Sequence, residues 1–311
     1  MLVHTLSQKE KVGHLLALFT TIVWGTTYIS TAKLLVDFSP VEILFGRIIL
    51  AIVALAIAKP QRLKVQSKKH ELYFAGTGLF GVTLYFMLQN SAMTYTYSAN
   101  ASVIISTAPF FVAIAMRVFC GVKGLTKQFF IGFLAAIIGI GLLSFSGQTL
   151  KLNPLGDVLC ILAAMSWAGY NVFLRKLEPY GYDTLLVTRR IFVYGILFLL
   201  PALPFMNFSF DMAKFIQPGN LFNFLYLGVC ASALCFVTWN VAIDRLGAIK
   251  TSVYIYLSPV ITIIAAWLML SDPVLPMALV GSALTLVGLV ISQRGSHAAA
   301  DGAQPLAAQT E

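Results

Sequence analysis

The sequence predicts an all-α integral membrane protein with ten transmembrane helices, built from two inverted five-helix repeats. Of its 311 residues, 59% are hydrophobic and only 11% are charged, whereas soluble domains carry about 25% charged residues. The apolar residues fall into ten stretches, each close to the ~20 residues that cross a bilayer as a helix. The second five stretches repeat residues of the first five at a nearly constant offset.

Short connections join the predicted spans and leave no room for a soluble catalytic domain. We place the spans at 14–35, 40–58, 71–93, 96–118, 126–146, 153–175, 184–205, 219–241, 247–270 and 275–294. The first is as long as a full span and is followed at once by another, which favours a helix of the mature protein over a cleavable signal peptide. We expect residues 1–13 to form a cytoplasmic N-terminal segment, and the small, polar residues 295–311 to form a disordered cytoplasmic tail.

The internal repeat divides the spans into two units, residues 14–148 and 149–294. The matched positions include Trp24 with Trp167, Lys33 with Lys176, Arg47 with Arg190, Asn90 with Asn240, Pro109 with Pro259, Gly132 with Gly281 and Gly139 with Gly288. Because each unit holds an odd number of spans, the second must enter the membrane in the opposite orientation. Inverted repeats of this kind are a structural basis of alternating-access transport.

The distribution of positive charge predicts the orientation of the chain. The net charge is +9, and cytoplasmic loops of membrane proteins carry an excess of lysine and arginine. With an even number of spans both termini share one side, and the connections on the other side hold only Lys151 and Lys214. We therefore predict a multi-pass protein of the cell inner membrane with both termini cytoplasmic. The partner of this charge is the anionic bilayer surface rather than nucleic acid.

The repeated motifs resemble those of the EamA family of the drug/metabolite transporter superfamily. They are Val-Trp-Gly-Thr-Thr-Tyr-Ile-Ser-Thr-Ala-Lys at 23–33, Arg47, Asn90-Ser-Ala, Pro109, Ser166-Trp-Ala-Gly-Tyr-Asn, Arg190, Trp239-Asn-Val-Ala, Ser258-Pro259 and the glycine-spaced fifth and tenth helices. The resemblance implies a carrier with pseudo-twofold symmetry and a central cavity lined mainly by helices 1, 3, 4, 6, 8 and 9. It also implies small organic solutes such as amino acids as cargo, with export in many bacterial members.

The sequence departs from that family at one place in each half. Many members carry a Gly-Glu pair after the fourth and ninth helices, where this chain reads Cys120-Gly-Val-Lys and Leu270-Ser-Asp-Pro. No role of that glutamate can therefore be carried over to this protein.

Polar and aromatic residues inside the predicted spans mark a candidate substrate cavity, because a polar group in lipid needs a partner or a wet cavity. The candidates for substrate binding are Trp24, Tyr28, Gln89, Asn90, Trp167, Asn171, Trp239, Asn240 and Tyr254. Carboxamides both donate and accept hydrogen bonds, which suits a polar or zwitterionic solute, and mid-span indoles suit the wall of an apolar pocket. The alternatives are interhelical hydrogen bonds for the asparagines and core packing for the aromatic residues.

A second set of residues is predicted to gate the cavity or to hold the helices. The set consists of Lys33, Arg47, Pro109, Lys176, Arg190 and Pro259. The arginines lie within reach of the headgroups, with Glu42 as a candidate partner of Arg47 and with substrate-carboxylate binding as the alternative role. The lysines can cap opposite entrances or anchor their helices, and each mid-span proline predicts a kink.

These features predict a secondary transporter that exports a small organic solute, an amino acid or a related metabolite, by alternating access. The sequence has no phosphate-binding loop, no H-E-x-x-H and no G-x-S-x-G, so neither an ATP-driven pump nor an enzyme is indicated, and no cofactor or metal is expected. No carboxylate lies at mid-span, which favours facilitated diffusion or exchange, while proton coupling through Glu42 or Asp157 stays open. A passive channel is the alternative, and a membrane scaffold or enzyme a more remote one; the oligomeric state is not predicted.

Overall fold

The computed structural model describes residues 7–96, 98–122, 126–145, 154–206, 208–270, 280–281, 283–288 and 290–292. The first six residues, the predicted connection at 271–274, and the predicted tail at 295–311 lie outside these ranges. All regular secondary structure within the described ranges is helical. This agrees with a membrane protein in which each helix satisfies its own backbone hydrogen bonds.

The helices follow the order predicted from the sequence. In the first half they are α1 (Gln8–Leu34), α2 (Pro40–Ala58), α3 (Lys68–Ala92), α4 (Ser98–Ile105 and Ala108–Cys120) and α5 (Lys127–Phe145). In the second half they are α6 (Pro154–Leu177), α7 (Thr184–Leu199), α8 (Pro218–Leu246), α9 (Ala248–Ser252, Val253–Leu257 and Ser258–Leu270) and α10 (Ala283–Ser292). Short turns of helix at Glu178–Tyr180, Leu200–Phe205 and Met212–Phe215 connect the longer helices of this half.

Seven helices in the described part of the chain, α1 to α4 and α6 to α8, are long and apolar enough to cross a membrane. The described apolar parts of α5 and α10 are shorter, at Lys127–Gly139 and Ala283–Ser292. The structure is thus that of an all-helical, multi-pass protein, and the full number of ten spans stays a prediction.

Capping side chains fix where the first two helices begin. Ser7 forms a capping box with Glu10, so α1 begins at Gln8, inside the segment that the hydropathy pattern assigns to the N-terminal region. Ser39 forms the same motif with Glu42, and Pro40 occupies the first turn of α2. In α1 the capping box begins the helix within a polar first turn. Hydropathy counts only apolar residues, so it places the start of α1 too late.

The cap of α2 also corrects an expectation about Glu42. One carboxylate oxygen accepts from the Ser39 amide at 2.7 Å, and the other accepts from the Ser209 amide at 3.0 Å. The candidate pair of Glu42 and Arg47 is not formed. Five residues apart on one helix, the two side chains point to different faces.

Helix packing follows the internal repeat. Helix α1 packs on α8, and the repeat-equivalent pair α6 and α3 also pack together. Helix α4 packs on α6, and its equivalent α9 packs on α1; α5 and α10 pack on each other. Each helix pair thus has a counterpart made of the equivalent helices of the other half. This is the pattern expected if a twofold rotation relates the halves.

Two departures from regular α-helix occur at repeat-equivalent places. Helix α3 widens to π-helical geometry at Leu79–Leu84, and α8 does so at Tyr226–Leu234. π-Helical segments are rare in proteins, and those that occur lie frequently at functional sites.

Helices α4 and α9 are interrupted directly before their prolines. A turn at 106–107 precedes Pro109, and the tighter helix Val253–Leu257 precedes Pro259. Each proline is the second residue of the following α-helical segment rather than an interior residue. At a helix start its missing N–H has no intrahelical partner to lose, so the interruption accommodates proline without a lost hydrogen bond.

Candidate substrate cavity

A small central cavity lies between residues of both halves. Its volume is about 30 Å³, whereas ligand sites usually have about 300–1,000 Å³. It is lined by Trp24, Thr27, Tyr28, Arg47, Tyr85, Phe86, Gln89, Ile105, Trp167, Phe236, Ile255 and Ser258. These residues come from the six helices that the resemblance implies, and from α2, which supplies Arg47.

Two tryptophans that the repeat makes equivalent meet at this cavity. The rings of Trp24 and Trp167 are 5.4 Å apart and nearly perpendicular, an edge-to-face geometry that favours aromatic pairs. Trp239 packs against Trp24 at 4.9 Å and is fully buried without lining the cavity. Of the three predicted tryptophans, two therefore face the cavity and one supports them.

The two cavity tryptophans differ in how their indole nitrogens are satisfied. Trp24 Nε1 donates to the Ala231 carbonyl at 2.9 Å, in the π-helical part of α8. Trp167 Nε1 has no partner in the described part of the structure, although the side chain is only 2% exposed. A buried donor without an acceptor is costly and calls for an explanation.

Arg47 is the only charged side chain among the described residues that line the cavity, and it is 2% exposed. Its Nε donates to Ser232 Oγ at 3.0 Å, and its guanidinium carbon lies 3.8 Å from the centre of the Phe86 ring. Ser232 Oγ in turn donates to the Leu227 carbonyl at 2.7 Å in the π-helical segment. Phe86 recurs as Phe236 in the second half, whereas Ser232 stands where the first half has Val82.

The equivalent arginine of the second half has a different environment. Arg190 forms an ion pair with Glu71, whose carboxylate also accepts from Tyr194 OH at 2.6 Å. The Arg190 and Glu71 side chains are 34% and 31% exposed, and neither lines the central cavity. The repeat offset places Leu221 opposite Glu71. The first-half arginine therefore has no equivalent carboxylate.

Of the predicted amide side chains, Gln89 faces the cavity, whereas Asn90 and Asn171 bond to backbone carbonyls. Gln89 lines the cavity and its buried Oε1 has no partner among the described residues. Asn171 Nδ2 donates to the Trp167 carbonyl one turn earlier, at 2.8 Å. Asn90 Nδ2 points to the Pro40 carbonyl at 3.4 Å. The Asn90 contact joins α3 to α2, as the interhelical alternative predicts, whereas the Asn171 contact stays within α6.

Tyr254, the last of the predicted binding residues, does not line the cavity. It forms a hydrogen bond of 2.7 Å with His14 Nδ1 and thereby joins α9 to α1. The neighbouring Ile255 and Ser258 face the cavity in its place. The interruption of α9 changes which side chains point inward, so regular helical spacing misplaces them.

Asn240 reaches a second pocket of about 300 Å³ at one end of the helix bundle. The pocket is lined by Leu174, Leu177, Glu178, Gly181, Tyr182, Thr184, Val187, Asn240, Ile243 and Asp244. Asn240 Oδ1 accepts from Tyr170 OH, and Nδ2 donates to Thr188 Oγ1 at 3.0 Å. Tyr170 is fully buried and stacks on Trp167 with ring centres 4.7 Å apart. Tyr170 thus stands between the central cavity and the second pocket.

The two predicted entrance lysines lie at opposite ends of the bundle. Lys33 is exposed in the last turn of α1, close to Asp37, which accepts from Asn220 at the start of α8 at 2.9 Å. Lys176 lies in the last turn of α6, with its Nζ 5.8 Å from the centre of the Tyr73 ring, and α6 and α8 both end at the second pocket. Neither lysine lines the central cavity or the second pocket.

Ion pairs bind the helix ends around the second pocket. Lys59 Nζ lies 2.6 Å from Asp183, and this hydrogen bond holds the pKa of the Asp183 carboxyl below its usual value. Arg189 donates to the Lys59 carbonyl at 2.6 Å, and Arg175 pairs with Glu178. These contacts fasten the end of α2 and the start of α7 at this end of the molecule.

Comparison with known proteins identifies the family. The sequence model of the EamA-like transporter family matches residues 11–145 and again residues 154–293. The chain belongs to the EamA-like transporter family. The resemblance drawn from the motifs is thereby confirmed, and the protein is a transmembrane transporter.

Relatives of the chain include an uncharacterised transporter and a probable amino-acid exporter. A transporter of uncharacterised function from Archaeoglobus fulgidus is 29% identical over 298 residues, which cover 91% of this chain and 98% of that protein. A probable terminal-alkyne amino-acid exporter from Streptantibioticus cattleyicolor is 28% identical over 276 residues, which cover 88% and 91% of the two chains. A solved crystal structure shares the fold with a TM-score of 0.69 at 16% identity, covering 92% of this chain and 98% of the other.

Proposed function

We propose that this EamA-like protein is a secondary transporter of the inner membrane that exports a small organic solute, an amino acid or a related metabolite, by alternating access. The observation that carries the proposal is the central cavity, where Trp24 and Trp167, equivalent in the repeat, face each other. A binding site shared by two halves can be exposed to either side when the halves rock about it. The amino-acid exporter among the relatives supports the cargo and the direction.

The architecture in this proposal is a ten-helix bundle of two inverted repeats, residues 14–148 and 149–294, with both termini cytoplasmic. The symmetric helix contacts and the double match of the family support the repeat. The end of the bundle with the second pocket is the cytoplasmic end, since Lys59, Arg175, Lys176 and Arg189 gather there. The partners of the protein are then a small-molecule substrate and the lipid bilayer.

The sizes of the two cavities suggest which step of the cycle this conformation represents. The central cavity has about 30 Å³, far below the roughly 300–1,000 Å³ of usual ligand sites, so a metabolite does not fit without side-chain movement. The second pocket is about ten times larger and ends at Asn240. We interpret the conformation as one in which the central site is closed and the hydrogen bonds of Tyr170, Asn240 and Thr188 form the cytoplasmic barrier.

Replacing Tyr170 with phenylalanine should weaken this barrier. The ring and its stacking on Trp167 are kept, but the hydrogen bond to Asn240 is lost, a change worth about 1 kcal/mol. The reporter is Ser258→Cys in the central cavity, in a background without native cysteines. With Tyr170→Phe it should react roughly fivefold faster than with Tyr170 retained, when a membrane-impermeant thiol reagent is added on the side of the second pocket. Tyr85→Phe, which alters a hydroxyl of the central cavity itself, is the control. Equal rates in both variants would show that the Tyr170 hydrogen bond is no part of the barrier.

Counterflow in proteoliposomes tests the function itself. Vesicles loaded with unlabelled amino acids or related metabolites, at clamped pH and zero potential, should transiently accumulate labelled solute from outside. Rapid equilibration without accumulation would indicate a passive channel and reject the carrier. Flux that appears only with an imposed pH gradient would reject exchange and direct attention to Asp157, because Glu42 is already engaged in the cap of α2.

A further inference from the structure

The guanidinium of Arg47 has hydrogen-bonding capacity that the protein leaves unused. Arginine has five N–H donors, and here Nε alone is bonded, to Ser232, while the plane lies against Phe86. Among the described residues, no hydrogen bond and no carboxylate within 4.0 Å engages the two terminal nitrogens. A buried charge without a counter-ion is costly in any protein and more so inside a bilayer.

No acidic side chain of the described chain is placed to neutralise this charge. Glu42, five residues earlier on the same helix, uses both its oxygens on the Ser39 and Ser209 amides. The carboxylate that pairs with the equivalent Arg190 is Glu71, and its counterpart is Leu221. The residues that line the central cavity include no aspartate or glutamate.

We propose that the missing counter-ion is the carboxylate of the transported substrate, and that Arg47 is its binding subsite. The inference rests on the proposed transport function and specifies its cargo. The planar guanidinium binds a carboxylate through parallel N–H donors, and it stacks on aromatic rings without losing them. One cation balances one negative charge. The cavity therefore fits a monocarboxylate better than a phosphate dianion, which needs further cations.

The remaining wall of the cavity defines the rest of the cargo. Trp24, Tyr28, Phe236 and Ile255 present aromatic and aliphatic surface, which fits an apolar body. Gln89 Oε1 and Trp167 Nε1 are buried without partners, so one acceptor and one donor remain for further polar groups of the solute. No carboxylate is available for an ammonium group. The cargo class is thus a small apolar monocarboxylate. An α-amino group is tolerated, because its N–H can donate to Gln89 Oε1, but it is not required.

Ligand binding to the full-length protein in detergent micelles tests this subsite directly. The probes are L-phenylalanine, 3-phenylpropionate and phenethylamine, which share a ring but differ in the carboxylate and the amine. Quenching of tryptophan fluorescence, with Trp24 and Trp167 in the cavity, reports binding. We expect both carboxylates to bind and phenethylamine to bind at least tenfold more weakly.

Variants of Arg47 separate a binding role from a structural one. Arg47→Gln should weaken binding of both carboxylates roughly 30-fold, the equivalent of about 2 kcal/mol for a charge-assisted hydrogen bond. Arg47→Lys keeps the charge without the fork and should recover part of this loss. Because Arg47→Gln removes an unpaired buried charge, its melting temperature should be equal to or above that of the wild type. The matched control is Arg190→Gln. Arg190 is the repeat equivalent of Arg47 but does not line the cavity, so its loss should leave carboxylate binding unchanged.

Each alternative result overturns the subsite. Equal binding of phenethylamine and the carboxylates, or unchanged binding in Arg47→Gln, would show that Arg47 does not select the carboxylate. A drop in melting temperature in Arg47→Gln together with unchanged affinity would assign Arg47 a structural role. If no probe binds, the monocarboxylate class is wrong, and counterflow with the wider panel then decides separately whether the transport function stands.

Discussion

Replacing Gly139 with alanine should destabilise the protein, whereas the same replacement at Gly141, two residues further along α5, should not. A Cβ at Gly139 would lie 2.6 Å from the Thr285 amide nitrogen and 2.7 Å from the Gly281 carbonyl oxygen, both backbone atoms of the tenth-helix region. A Cβ at Gly141 would meet nothing within 4 Å. Backbone cannot rotate away as a side chain can. We therefore expect Gly139→Ala to cost about 1–3 kcal/mol or more, and Gly141→Ala to be neutral or slightly stabilising.

Thermal unfolding of the purified protein in detergent, followed by size-exclusion chromatography, measures this difference. Both substitutions add one methyl group to the same helix, so effects on helix propensity and expression are shared. Gly288→Ala is the reciprocal variant, because its Cβ would lie 2.5 Å from the Ala136 nitrogen in α5. It should lower the melting temperature as Gly139→Ala does. Equal melting temperatures for the Gly139 and Gly141 variants would mean that α5 and the tenth helix do not cross at this distance.

The glycine spacing shows what the sequence could predict about packing and what it could not. Pairs seven residues apart, Gly132 with Gly139 and Gly281 with Gly288, predict a smooth stripe on each helix. They do not say which helix the stripe faces. The structure places the two stripes against each other, so that the last helices of the two halves join them. Partner choice depends on the arrangement of all the helices, which no single stripe records.

The candidate site illustrates a different limit of the repeat. Residues that the two halves share, such as Trp24 and Trp167, could be found because the repeat draws attention to them. Residues that differ between the halves could not. Ser232, which holds Arg47, stands where the first half has Val82, and Glu71 stands where the second half has Leu221. The different environments of Arg47 and Arg190 therefore depend on residues that do not match between the halves, and a search for matching residues does not find them.

Local interruptions of the helices account for the other displaced predictions. Regular helical spacing assigns side chains to faces at 3.6 residues per turn. The tighter helix before Pro259 shifts that register in α9. Consequently Tyr254 contacts His14, and Ser258 faces the cavity. Prolines in the sequence indicate where such interruptions occur, but not how far they turn the following residues.

Replacing the two cavity tryptophans with phenylalanine should have different effects. Trp24→Phe should mainly lower stability, and Trp167→Phe should mainly lower substrate affinity. Trp24→Phe removes the indole hydrogen bond to the Ala231 carbonyl, a loss of about 1 kcal/mol. Trp167→Phe removes a donor that has no partner in the described structure, so its stability should fall less. If Trp167 Nε1 serves the substrate, this second variant should lose about tenfold in affinity, the value of roughly one hydrogen bond.

The pair of variants is informative because both remove the same atoms from rings in contact with each other. Loss of volume and of aromatic packing is therefore shared, and the difference between the two isolates the indole N–H. Melting temperature in detergent gives the stability term, and the half-saturating concentration in counterflow gives the affinity term. If both variants lose the same stability, the Ala231 hydrogen bond contributes nothing to folding. If Trp167→Phe keeps full affinity, its indole packs the core and does not bind the cargo. A lower affinity in Trp167→Phe alone would place a substrate acceptor beside Trp167, inside the cavity that also holds the unpaired charge of Arg47.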